Sequence, residues 1–510
     1  MDRHQTPSSE AVRTAPFQAT ILHDPGAAEL DDIRYQSPPE RYTESPFPTA
    51  KLANPVYAMV RRLFLSMGLD AANFGTKHWN PLSELLNRGD QVLVKPNLVY
   101  HQHYRDGKLH WVVTDPRLVR AVCDYACLAV GREGHVIVGD APLQSADWER
   151  LCRATQIDRL PVFYASHGYS VSLRDFRTLR TIDRRGMKCD PTPLRGDPAG
   201  YRAVDLGKDS LHAGRDWRRF RVTNYNPHTM REHHNEQRHE YLISRSVLSS
   251  PVVINLPKLK THRKSGITGP LKNMVGINGC KDWLPHHSCG SVPDGGDEYS
   301  GASSWKRISS WLVEREETST HIAQKLSWHA ARRLVHGLGS RMSADRSWEG
   351  SWSGNDTLWR TILDLNRAAL YADAEGVLQR RQQRAILTIV DAIQAGEGEG
   401  PMAPDPVLLN CLIGSMHPLT AEIASVRLAG WPEERLRHVQ GAFHLPSYPL
   451  DPFRVDDLDI QVNDTRDGAM VATTIEAVAR FLRPTSGWTY IQPAPSVTHH
   501  ALARSVEVSI

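Results

Sequence analysis

The chain has 510 residues, 40% hydrophobic and 23% charged, and its 61 Lys and Arg against 57 Asp and Glu leave a net charge of +4 at pH 7. Single cores stop growing near ~250 to 300 residues, so two α/β lobes are expected. So small a charge excess gives no bulk attraction for a polyanion, no apolar run reaches the ~18 to 20 residues of a membrane span, and MDRHQTPSSE lacks a signal-peptide core. A cytoplasmic protein with no nucleic-acid or membrane partner is therefore expected.

In chain order, residues 1–50 are rich in Pro, Ser and Thr and read as an irregular N-terminal arm. A helix from Asn54-Pro55 to about Met67 follows from the spacing of Val56, Met59, Val60, Leu63 and Phe64. Gln91–Val94 reads as a strand ending in Lys95-Pro96-Asn97, a cation and an amide at the edge where doubly wound sheets bind ligands. Thr114-Asp115-Pro116 starts a capped helix that runs to Gly131, and His135–Val138 is a strand closing on Asp140, completing a βαβ unit. Arginines alternate with aromatics and aspartates from Arg174 to Val222. That pattern could stack bases, but hairpins with charged outer faces give the same one.

The chemically densest stretch is Val252–Gly279. Val252–Leu256 has the length and β-branching of a buried strand, which Pro257 should end. Lys258, Lys260, His262, Arg263 and Lys264 follow, then the small-residue turn Gly266–Gly269, then Pro270 at a helix start. Helix amides beside a cluster of cations predict a small-anion site. Downstream, Trp305–Gly339 reads as a helical insertion forming a lid or contact surface, and Thr357–Tyr371 as a helix on which Arg360 and Asp364 can pair. Ala385–Val390 is a strand ended by Asp391, and GEGEGP, Gly396–Pro401, a loop in which Asp391, Glu397 and Glu399 hold a cation or hydroxyl or simply face solvent. Val407–Ile413 is a further strand, and residues 444–510 add one short strand and a helix over Thr474–Leu482. The fold class is thus α/β, with mostly parallel sheets flanked by helices. Its divisions are the arm 1–50, a lobe over 51–300 with the Lys/His motif, a helical insertion 301–350, a second α/β portion 351–485 and a tail 486–510.

Seven scattered cysteines with no CxxC pair read as reduced thiols; Cys280 and Cys289 flank His286 and His287, leaving a mixed metal site conceivable.

Several of these motifs carry a resemblance. PKLKTH at Pro257–His262, GITGPLKNMVG at Gly266–Gly276, VLVKPNLV at Val92–Val99, NDTLWRTILDLN at Asn355–Asn366 and TIVDAI at Thr388–Ile393 together resemble the family of domains of unknown function DUF362, from about residue 90 to residue 430. Some members carry an iron–sulfur segment, whose closely spaced cysteines this chain lacks. The family commonly has a DPVAVD-like sequence where His417 and Glu422 stand here. A shorter likeness links His262 and Lys272, ten positions apart, to the nickel-dependent lactate racemases. That likeness implies a histidine acting on the substrate's α-carbon proton or hydride, a lysine linked to a nickel pincer nucleotide, and a metal-ligating histidine near His286 and His287.

These readings lead to a metal- or cofactor-dependent enzyme of isomerase or oxidoreductase type, acting on a small oxygenated anion by proton or hydride transfer. His262 and Lys272 are the expected catalytic pair, with His262 as general acid/base. Lys95, Asn97, Asp140, Lys258, Lys260, Thr268 and Asn273 are expected to bind the anion. His286, His287 and Asp391 are expected to hold a transition metal, nickel or iron, unless the cofactor is linked to Lys272. The alternative is a non-catalytic anion or cofactor carrier.

Overall fold

A computed structural model describes residues 18–27, 37–49, 54–106, 108–184, 187–223, 226–342, 345, 347–451, 457–466 and 469–494. Its centre is a mixed sheet of 11 strands. In chain order these are β1 (Gln18–His23), β2 (Gln91–Pro96), β3 (His135–Asp140), β4 (Ser170–Asp175), β5 (Val252–Leu256), β6 (Lys258–His262), β7 (Gly266–Thr268), β8 (Ala385–Glu399), β9 (Ala403–Ser415), β10 (Asp459–Arg466) and β11 (Ala469–Thr473). The path runs β11-β10-β1-β9-β8-β5-β2-β3-β4, with β6 paired to β7 and β8. From β8 to β4 every neighbour is parallel, so the carboxyl ends of β2, β3 and β5 emerge along one edge. The α/β class with a mostly parallel sheet is as expected, and strands from both 51–300 and 351–485 lie in this one sheet.

Alternate residues of the parallel strands enter opposite cores, because successive side chains of a strand point to opposite faces. Val92 and Val94 pack with α1 (Pro55–Ser66) and α2 (Pro116–Val130), in one cluster with Val60, Phe64 and Val122. Leu93 and Ile137 enter the other cluster with Leu363 and Ile423. Those last two residues belong to helices 358–371 and 418–428. Asp115 caps α2 by accepting from the Arg117 amide, as the sequence suggested.

Several expectations change. The first 50 residues contribute β1 to the interior of the sheet, between β9 and β10. Pro257 interrupts the strand only briefly: the basic run Lys258–His262 is itself extended and fully buried. Asp391 lies within β8, which continues to Glu399 and pairs with β9 as far as Glu399↔Ala403, so GEGEGP is the end of a hairpin. Its glutamates are occupied, Glu397 by the Arg483 amide at 2.9 Å and Glu399 by the Ser486 amide at 2.9 Å, so they do not join Asp391 in a cation site. The C-terminal part supplies two strands, β10 and β11, and only Ile475–Val478 of the expected helix forms. The basic stretch Arg174–Val222 contains the hairpin 179–184 with 187–193 and the strand 201–205, which pairs with 240–244 beyond it. Arg360 pairs with Asp356, whereas Asp364 pairs with Arg367 and accepts from Ser210 and Tyr241.

Candidate functional site

Lys95 and Asp140 end β2 and β3, and Lys258 and Lys260 open β6 just beyond β5, so sheet topology alone brings these groups to the carboxyl edge. Most of them are already partnered. Lys95 Nζ donates to Asp140 Oδ1 at 2.8 Å, and Asp140 Oδ2 also accepts from the Leu98 amide at 2.8 Å. Lys258 Nζ lies 2.6 Å from Asp391 Oδ2, which also accepts from the Asp115 amide at 2.7 Å. Burial pushes the Asp391 carboxyl up, and Asp115 adds to this while Lys258 opposes it. Asn97 and Asn273 form a relay: Lys260 Nζ donates to Asn97 Oδ1 at 3.0 Å, Asn97 Nδ2 to Asn273 Oδ1 at 3.0 Å, and Asn273 Nδ2 to Asn255 Oδ1 at 2.7 Å. Lys95, Asn97, Asp140, Lys258, Asn273 and Asp391 therefore build the wall of the site.

A second set of cations has no direct ion pair among the described residues, although Glu349 acts on Lys264 and Asp140 on Lys281 from further away. Lys260 Nζ otherwise meets only the Val112 carbonyl. Lys264 Nζ donates to Thr223 Oγ1 at 2.8 Å and to the Glu349 carbonyl, and Lys281 Nζ to the Val275 carbonyl at 3.4 Å. Neutral acceptors satisfy donors without cancelling charge. Burial accordingly lowers Lys264 and Lys281 each to about 8, and Lys260 well below its usual range. Lys272 stands apart, its side chain making no hydrogen bond or ion pair to any described residue. It is surrounded by protein yet keeps part of its surface open. Burial, then the charges of Lys281 and Lys95, bring its ammonium down to about 7, with Asp140 opposing.

Two histidines face this charge with opposite ring polarity. His262 Nδ1 accepts from the amides of Lys264 at 3.1 Å and Ser265 at 3.2 Å, so in the neutral ring the proton sits on Nε2. His286 Nδ1 lies 2.7 Å from the Leu284 carbonyl and must donate, leaving Nε2 with its lone pair. Burial drives both rings well below the usual histidine range, and Lys272 is the strongest charge acting on each. Neutral His262 is thus a hydrogen-bond donor through Nε2 and neutral His286 an acceptor.

The helix start is occupied by a carboxylate of the chain itself. Its helix is only Pro270–Asn273, and Glu422 Oε2 accepts from the Leu271 amide at 2.8 Å while Glu422 Oε1 holds His438 Nε2 at 2.9 Å. The other departure from the family sequence, His417, contacts Asp451 at 3.2 Å. Thr268 Oγ1 is buried with no partner, as is His287 Nδ1. Among the described residues no group of three or more His, Cys, Asp or Glu is placed to hold a metal, so His286, His287 and Asp391 do not form the expected centre. Cys280 Sγ meets Asp282 at 3.6 Å and Cys289 Sγ meets Ser310 at 3.3 Å. Among the described residues these donors are not gathered into the three- or four-ligand set a transition metal takes.

Sequence reasoning missed Lys281 as a site residue and left Lys264 undistinguished in its basic run. The signal for Lys281 was weak, a lone lysine five residues after Gly276.

Residues 210–427 match the model of a domain of unknown function, DUF362, a span that includes the central motif and both histidines but not Val92–Val99. No curated protein matches the chain. Among solved structures, a structural-genomics target from Thermotoga maritima is similar at 11% identity and a TM-score of 0.30, over 72% of this chain and 58% of its own length. The chain thus spans little more than half of that protein, and the likeness is too slight to bear on function. These matches do not extend to the lactate racemases.

Proposed function

We propose that this DUF362-bearing chain is an enzyme of isomerase type that binds a small oxygenated anion and moves a proton at the carbon beside its charged group. The observation that carries the reading is Lys272, a partly exposed cation whose ammonium has no ion-pair partner among the described residues, set among Lys260, Lys264 and Lys281, whose ammoniums donate only to neutral acceptors there. An anion would supply the missing counter-charge, and its arrival would raise the lysine pKa values and complete their protonation. The cations would then stabilise charge developing on the substrate oxygen. His262 Nε2–H donates to that oxygen while the His286 Nε2 lone pair takes the proton from carbon. The imidazolium of His286 exchanges its proton with water and returns one proton to either face of the carbanion, which leaves atoms and electrons balanced.

Lys272, near half protonated at neutral pH, is also a competent amine nucleophile toward a carbonyl compound, or an anchor for a linked cofactor. Borohydride treatment followed by peptide mapping distinguishes these roles: a mass increment on the Lys272 peptide supports the covalent role, and an unmodified peptide in active protein leaves the electrostatic one.

The deciding experiment incubates the protein in heavy water with small 2-hydroxy acids, 2-oxo acids and phosphorylated analogues and follows deuterium at the α-carbon by NMR. Exchange with wild type, lost in Lys272→Ala and reduced about 10² to 10⁴-fold in His286→Gln, is expected. Tight binding with no exchange for any compound would make the chain a carrier, the reading favoured if the cations serve affinity alone.

A further inference from the structure

The helical hairpin of Ser304–Thr318 and Ile322–Met342 has its polarity reversed. Between the helices lies a buried ionic cluster in which Glu316 binds Arg332 at 2.7 Å and His329 at 2.9 Å, with Glu317 against Lys325 at 3.3 Å. Leu312 is buried, but much of the hairpin's apolar surface points outward. On the second helix Ile322, Leu326, Leu334 and Leu338 are between 50% and 65% exposed, and with exposed Ala330 they recur every fourth residue. That row spans about 24 Å along the helix. On the first helix Ile308 and Trp311 are also exposed, 49% and 47%, with the Trp311 ring edge-on to Trp328 of the second.

The charge beside this stripe has one sign. Within the hairpin the exposed Lys, Arg, Asp and Glu residues are Arg307, Arg315, Arg333 and Arg341, while Glu316 and the Glu317 side chain are buried between the helices and Glu314, half-buried, is paired with Arg221 and Arg231. The second helix, Ile322–Met342, contains no Asp or Glu at all. An apolar ridge with a Trp, flanked by arginines, fits the boundary between acyl chains and anionic headgroups. A second copy of the same hairpin would bring arginine against arginine.

We infer that the outer face of this hairpin seats the protein on an anionic membrane surface, lying in the interface without crossing it. This replaces the expectation of no membrane partner, which rested on spanning segments alone; no helix among the described residues is long and apolar enough to cross a bilayer. The seat is joined to the candidate site through Glu314, which holds Arg221 at 2.9 Å, and the Arg221 carbonyl in turn accepts the His286 amide at 2.8 Å.

The test is sedimentation of the full chain with vesicles of phosphatidylcholine alone and of phosphatidylcholine mixed with phosphatidylserine. Binding to the mixed vesicles, weakened by salt and absent from the neutral ones, is expected. Leu334→Asp with Leu338→Asp should lower it at least about tenfold. Arg333→Gln and Arg341→Gln should each lower it about fivefold. All four side chains are exposed, so unchanged melting temperatures confirm that the variants fold. Wild type that stays in solution, binds neutral vesicles equally well, or is indifferent to the leucine variants overturns the inference. So does a wild-type dimer in sedimentation velocity that the leucine variants dissociate, which would assign the face to a second copy.

Discussion

Lys272 holds a conflict between stability and function within one side chain. Its ammonium has no ion-pair partner among the described residues and feels Lys281 and Lys95 more strongly than Asp140, so in the free protein it is a cost. Lys272→Met keeps the stem's volume and removes the charge. It should raise stability by about 1–2 kcal/mol in denaturant titrations while abolishing anion binding measured by calorimetry. A loss of stability together with a loss of binding would mean that the stem's packing, and not the charge, is what matters there. Lys95 makes the contrast: also buried and also lowered by burial, it has Asp140 at 2.8 Å. Asp140→Asn should therefore cost about 3–5 kcal/mol, because it strands a buried cation, and the loss should be smaller when Lys95→Met is added.

The ends of the elements decide which residues can meet. Gly276 passes so close to the pair that a Cβ there would lie 2.0 Å from Asp140 Oδ1 and 2.7 Å from Lys95 Nζ. Gly276→Ala should cost about 1–3 kcal/mol in unfolding free energy and weaken anion binding as Lys95 is displaced toward its neighbours. Unaltered stability and affinity would show that the backbone yields there. Most of this was legible locally: strand ends at Lys95 and Asp140, the capped helix after Asp115, and the helix start at Pro270 all follow from apolar runs and their stop signals. What stayed illegible was set by distant partners. Glu422, 151 residues beyond Leu271, fills the helix start that looked free, and Asp391 is drawn into a long hairpin because β9 pairs with it well past the expected strand end. The tautomers of His262 and His286 depend on turns at Lys264 and Leu284 that periodicity does not reveal.

Over the whole molecule the buried titratable groups should move the pH of greatest stability. His212, His234, His262, His286 and His287 are all lowered chiefly by burial, so the unfolded chain binds more protons than the native one around and below pH 6.5, and stability rises with pH there. Lys272, Lys264 and Lys281 extend the trend. Their native values of about 7 and about 8 lie below the ordinary 10.5, so the unfolded state holds more protons from about pH 7 upward. Opposing groups act higher: buried Cys123, Cys127 and Cys411, raised from 9.0, and Tyr57, Tyr164 and Tyr241, raised from 10.0, keep their protons in the native state after the unfolded chain has lost them. Stability of the free protein should therefore climb from acid to about pH 9 and fall beyond it, above the ~5 to 8 range of most proteins. An anion that protonates the lysines reverses their part of the slope. Saturating ligand should thus raise the melting temperature most near pH 7 and least near pH 9, with net proton uptake on binding that calorimetry in buffers of different ionisation enthalpy would register. A ligand-induced shift that does not change between pH 7 and pH 9, with no proton uptake, would mean that the lysines are already charged in the free protein.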